Sequence, residues 1–232
     1  MKTYTNEKLV KRNSRIGNIA SILSILIIGA MIYVSFTDTK GTYISLTFGG
    51  LIVGLLLFQF ANYYLTRWGK SPRPDQLLSS TLKGLDNTYS LYHYSTPIFH
   101  LIVGSNGVFA LLPYNQAGKI YFDTKRNRWR QVGGNALLKF FANEGLGRPD
   151  LEIRYTQEDL VRYVKKLGLD PAPLSNNVMV VFTNPKANVD LADSPHLATT
   201  GEKLKDYLRR KMKENPMPVD WIEDFKAKLP QE

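Results

Sequence analysis

The chain has 232 residues, carries 30 Lys and Arg against 20 Asp and Glu for a net charge of +10, and contains no cysteine. That length holds one domain of ordinary size, roughly 100–200 residues, with some sequence to spare. Without cysteine there is no disulfide, no thiolate nucleophile and no cysteine-bound zinc or iron–sulfur cluster.

Residues 1–15 form a basic N-terminal segment with Lys2, Lys8, Lys11, Arg12 and Arg15. From Ile16 to Phe36 no charged residue occurs, and at about 1.5 Å per helical residue this run matches the roughly 30 Å of bilayer hydrocarbon. A transmembrane helix is predicted. A cleaved signal peptide is the rival reading, but its apolar core runs to roughly 7–15 residues and precedes a small-residue cleavage site, and this run fits neither. A second uncharged run, Gly41 to Thr66, follows the polar link Thr37–Lys40. Residues 16–66 therefore read as a transmembrane helical hairpin, with helices over 16–36 and 42–65. Cations flank only its outer ends, since Arg67, Lys70 and Arg73 follow the second run. This places the chain in the cytoplasmic membrane as a multi-pass protein, with both termini and the soluble part cytoplasmic. Membrane lipid is then an obligatory partner, and anionic headgroups account for part of the positive charge. Gly50 and Gly54 form a small-xxx-small pair, as do Gly17 and Ser21, which suits close packing within the hairpin or dimerisation with a second copy. Tyr63, Tyr64 and Trp68 sit where an interfacial aromatic belt is expected.

Pro72 and Pro74 stiffen a link to the soluble domain, expected over 71–232. Leu77, Leu78, Leu82 and Leu85 have helical spacing within Asp75–Leu85. Strand-like runs follow over 89–94, 98–103 and 108–112, and the Asn106-Gly107 pair signals a tight hairpin between the last two. Further strands are expected over 118–123 and 128–132, and a helix over 135–144. Thr156 with Asp159 resembles a capping box opening a helix to Leu167. Residues 177–182 are apolar like a strand buried on both faces, and helices are expected over 201–213 and 220–229. The fold class is α/β (α+β): a short central mixed sheet flanked by helices, preceded by the hairpin.

The run FHLIVGSNGVFALLPYNQAGKIYFD, with the helix DQLLSSTLKGLDNTYSLYHY before it, resembles the NERD (nuclease-related) domain, a branch of the PD-(D/E)xK nuclease-like fold. His100–Gly104, Gly107–Phe109 and Gly118–Ile120 match its hairpin pattern, Phe182–Ala187 is similar to one of its late strands and turns, and the resemblance covers residues 75–187. In that family an aspartate beside the histidine, and a Glu-x-Lys on the next strand, hold a divalent metal ion and face the scissile phosphate. Residues two apart on a strand share a face, so the two strand groups point together, and hard carboxylate oxygens suit magnesium. The resemblance puts those three roles at Phe99, Leu112 and Tyr114. None of them offers a carboxylate or an ammonium. No catalytic residue, metal site or cofactor is implied. The rival enzymatic reading is a metal-dependent nuclease with displaced acids, for which Asp75, Asp123 and Glu152 are the candidates.

His93, His100 and His196 are the only histidines; two on adjacent strands could bind zinc, but no acidic or histidine partner lies at helical spacing, and they read as half-buried strand residues. Lys125, Arg126, Arg128 and Arg130 interleave with Trp129, a pattern that suits phosphate contacts and base stacking, although a solvated turn with Trp129 folded back onto the sheet is the plainer reading. A second basic surface carries Lys203, Lys205, Arg209, Arg210, Lys211 and Lys213, where anionic lipid competes with nucleic acid. The functional expectation is a membrane-anchored, catalytically degenerate nuclease-like module that binds nucleic acid or protein. An assembly subunit of a membrane complex is the third reading.

Overall fold

The computed structural model describes residues 1–133 and 145–231; the helix expected over 135–144 lies outside them. The described chain divides into a helical unit, residues 7–73, and a second unit built from residues 1–6, 74–133 and 145–231.

In the helical unit, α1 (Glu7–Thr37) and α2 (Ile44–Tyr64) are long and apolar enough to cross a membrane. The first begins well before the apolar run, because the charged residues from Lys8 to Arg15 are good helix formers with no breaker among them. The Asp38 carboxylate closes the link between the helices by accepting from the Thr42 and Tyr43 amides at 2.9 and 2.6 Å. The two helices run antiparallel, and the small residues lie at their contact. A Cβ on Gly54 would sit 2.6 Å from Ile28 Cγ1, Gly50 faces Met31, and a Cβ on Gly17 would sit 3.0 Å from Tyr64 Cβ. The glycines thus serve close approach inside one hairpin. Ile25 and Leu56 point outward and are about two-thirds exposed. A π-helical turn, Leu65–Gly69, follows α2, where Tyr63 packs edge to face with Tyr64 and Trp68 and the Arg67 guanidinium lies 4.1 Å from the Tyr63 ring centre.

The second unit is a three-layer α/β domain. Its main sheet has six strands in the order β1 (Lys2–Thr5), β2 (Ser90–His93), β3 (His100–Val103), β4 (Val108–Tyr114), β7 (Val178–Phe182) and β9 (Ala198–Thr200). Only β3 runs against the others. A smaller sheet holds β6 (Arg128–Val132), β5 (Gly118–Asp123) and β8 (Ala187–Asp190). Alternation along the strands splits the core in two. Leu91, Ile102, Phe109, Leu111, Met179 and Val181 face α3 (Pro74–Leu82) and α5 (Leu204–Glu214), which contribute Leu78, Leu82, Leu204, Leu208 and Met212. Leu101, Val108, Ala110, Tyr114, Val180 and Phe182 face α4 (Pro149–Lys166), α6 (Val219–Ala227) and the inner side of the small sheet.

Three expectations are corrected here. First, the soluble domain does not begin at residue 71. Residues 2–5 belong to it as an edge strand parallel to β2, with Lys2 N–H bonded to Tyr89 O and Asn6 N–H to His93 O, both at 3.0 Å. The hairpin is therefore inserted in the domain sequence and does not precede it. Second, α4 starts at Pro149, one turn and more before Thr156, because a proline suits the first helical position and Asp150 and Glu152 supply first-turn acids. Thr156 lies inside the helix and caps nothing. Third, although Gly104–Gly107 does join β3 to β4, with Gly104 N–H bonded to Gly107 O at 2.9 Å, neither Asn106 nor Gly107 takes the positive φ expected of a two-residue turn. Glycine is needed there for approach: a Cβ on Gly104 would meet Met212 Sδ at 2.6 Å.

The edge strand is held by a stacked pair as well as by its ladder, since the Tyr4 and Tyr92 rings lie 4.8 Å apart at 11°. Tyr4→Ala should lower unfolding stability by about 1 kcal/mol, read as a shifted denaturant midpoint of the full-length protein in detergent. An unchanged midpoint would mean that β1 is not energetically part of the sheet.

Candidate functional site

The three positions where the resemblance implies catalytic groups cluster around the end of β4. Phe99 immediately precedes β3 and is 43% exposed, with its carbonyl accepting from Tyr94 N–H at 2.8 Å. Leu112 is half-buried against the core, and Tyr114 is 7% exposed. Leu112 and Tyr114 share the face of β4 that α4 covers, alternating with Leu111, which packs on the opposite side. The Tyr114 hydroxyl donates to Glu152 Oε2 from the first turn of α4. A carboxylate thus reaches the position where the resemblance implies a lysine, and it is engaged by a phenol.

Beside it, Arg148 forks onto Asp150, with Nε 3.2 Å from both carboxylate oxygens and Nη2 2.7 Å from Oδ2. Burial pulls the Asp150 carboxyl upward, but the Arg148 hydrogen bonds and charge outweigh it and hold the group below its ordinary value. His196 lies near this pair with its ring 5.7 Å from that of Phe122. Burial lowers its pKa, and the Asp150 charge opposes the shift without cancelling it.

The other two acids lie elsewhere. Asp75 is 3% exposed on the first turn of α3. In the same unit His93 and His100 are 0% and 4% exposed, more deeply buried than expected, with their Nδ1 atoms 2.9 Å apart and Ser79 Oγ 2.9 Å from His93 Nε2. A 2.9 Å contact between two ring nitrogens requires one proton between them, so one ring donates and the other accepts. Asp123 receives the Arg126 amide at 3.1 Å and closes the β5–β6 turn. Among the described residues no group of three or more His, Asp or Glu gathers to hold a metal ion.

The basic turn is on the outer face of the small sheet. Lys125 and Arg126 are exposed and Arg128 and Arg130 half-buried. Arg128 pairs in register with Asp123, and Arg130 Nη1 lies 3.7 Å from Asp123 Oδ2. Lys125, Arg126 and Arg128 make no ion pair among the described residues. Trp129 does not join them. It faces the opposite side of β6, 2% exposed, with its ring 5.2 Å from Phe182 and 5.7 Å from Phe122, and its indole N–H has no partner among the described residues. A base cannot stack on a buried ring, so the stacking expectation is corrected: strand alternation sends residue 129 inward while 128 and 130 point out. On α5, Arg209 pairs with Asp206 and both Arg210 and Lys211 with Glu214, which leaves its surface less positive than a count of cations suggests.

Sequence reasoning missed Gln157. Its side chain accepts from Asn177 N–H and donates to Leu174 O, both at 3.1 Å, fastening α4 to the start of β7. Its only signal was a polar residue at an inward helical position.

No protein-family model matches the chain, and no curated protein or solved structure matches it.

A histidine whose folded pKa lies below its unfolded value near 6.5 adds stability that is complete above that value and drains away as the pH falls towards the folded one. The melting temperature of the full-length protein should therefore fall between pH 7.5 and 5.5, and the fall should be shallower in His196→Gln. Parallel curves would show that His196 titrates as it does in the unfolded chain.

Proposed function

We propose that the chain is a membrane-anchored binding module whose soluble domain is a catalytically degenerate relative of the NERD nuclease-like domains. It binds nucleic acid through phosphate contacts at the cytoplasmic membrane face. The observation that carries the binding role is the β5–β6 hairpin, where the exposed Lys125 and Arg126 of the turn and the half-buried Arg128 beside it stand without ion-pair partners among the described residues. The packing of Leu112 and the engagement of Tyr114 with Glu152 support a domain that does not cut. A metal cage needs free hard oxygens converging on one point.

Insertion of the hairpin supports the two-pass topology. Strands β1 and β2 are hydrogen-bonded to each other, which supports a reading in which the chain enters and leaves the hairpin on the same side of a membrane. With the cations flanking the outer ends, that side is the cytoplasm. Since the chain has no cysteine, single cysteines report cleanly. An impermeant thiol reagent applied to intact cells should label Thr39→Cys and leave Gln231→Cys untouched; the opposite pattern would invert the topology.

Phosphate contacts release counterions, so each lost contact lowers the logarithmic salt slope by about 0.9 on duplex DNA and about 0.7 on single strands. Replacing Lys125, Arg126 and Arg128 together by glutamine should reduce the duplex slope of the detergent-solubilised protein by about 2–3 while leaving its melting temperature unchanged. With Trp129 buried, single strands should gain no stacking advantage over duplex. Absence of wild-type binding even at low salt would remove nucleic acid as the ligand. The reading then favoured is a protein-contact platform, which the interspersed Asp123 and Asp190 of the same face support.

A further inference from the structure

A cleft of about 420 Å³ opens at the carboxyl ends of β7 and β9, lined by Thr81, Thr183, Asn184, Thr200, Glu202 and Lys205, with Phe182 as its floor. We infer that it binds the phosphate of a small hydroxylated phosphomonoester, either free or as a lipid headgroup. The volume falls within the roughly 300–1,000 Å³ of small-molecule sites, and the crevice beyond the carboxyl ends of parallel strands is where open α/β sheets hold ligands.

The lining divides into groups that shape the cleft and groups left to a ligand. Thr183 donates to Tyr114 O at 3.2 Å, Asn184 Nδ2 donates to Asn115 O at 2.9 Å, and Asn184 Oδ1 accepts from Lys186 N–H at 2.9 Å. These bonds spend that turn on its own geometry. The free donors come from three other places. Thr81 and Thr200 hydroxyls make no hydrogen bond among the described residues, and Thr200 does not cap the 3₁₀ turn that follows it. Lys205 uses one donor on Lys83 O at 3.2 Å, leaving two. The segments close on one another at Gly201, where a Cβ would lie 3.6 Å from Thr81 Oγ1 and 3.7 Å from Thr183 Cα.

Two hydroxyls and an ammonium form a donor set for a phosphate, which offers acceptors only. Glu202, exposed at the rim, decides what surrounds that phosphate. Its carboxylate accepts from hydroxyl groups and repels further charge, which favours a monoester of a polyol over a polyphosphate. Phe182, Pro185 and Ala187 give the carbon skeleton an apolar wall.

Glycerol 1-phosphate, titrated calorimetrically into the full-length protein in phosphatidylcholine nanodiscs, tests the free source. Flotation with vesicles of phosphatidylcholine containing phosphatidic acid tests the lipid source. Saturable binding in either arm should weaken about tenfold in Lys205→Gln and about threefold in the isosteric Thr81→Val, with the unliganded melting temperature of Thr81→Val unchanged. Lack of saturable binding in both arms, or binding that both variants leave intact, would overturn the assignment.

Discussion

The strand β4 is paired on both edges and covered on both faces, and a strand so placed has no room for an unpaired charge. Much of the domain follows from that. Its side chains are apolar from Val108 to Leu112, and the one hydroxyl, on Tyr114, is satisfied by a carboxylate that α4 delivers at the strand's end. The neighbouring backbone is stitched with equal care: Asn177 Nδ2 donates to Val108 O at 2.8 Å, and Ala110 N–H to Asn177 O at 2.7 Å. An acid and a lysine on this face would each need a bound ion or substrate to be tolerable. Here the strand serves packing.

The same logic separates the two sides of the small sheet. Ile120, Phe122 and Trp129 are spent on the core, while Lys119, Arg128, Arg130 and Asp190 stay on the outer face. The mixed signs on it shorten the range of its field compared with a purely cationic patch.

Much of this was legible in the residues. The strands over 118–123 and 128–132, the apolar strand before Phe182, the hairpin and the helices near residues 75, 201 and 220 all announced themselves by periodicity or by runs without charge. What escaped had physical reasons. Strand β1 is a short polar edge strand, Lys-Thr-Tyr-Thr, and its only partner lies more than eighty residues away, beyond two apolar helices. Strand β8 alternates over only four residues, Ala-Asn-Val-Asp, and pairs with the distant β5, while β9 has three residues, too few to show a period. Trp129 had both an inward and a stacking reading, and the choice between them depended on register, which two neighbouring arginines could not reveal. Glu152 was a candidate acid, but its link to Tyr114 spans 38 residues and is a product of packing.

The inserted hairpin also sets an order of events. Strand β1 is made before the two apolar helices, yet it can pair only with β2, which is made after them. At roughly 5–20 residues per second its residues wait several seconds or more while the intervening helices are made. Closure of this edge of the sheet therefore comes only after both long helices have been made.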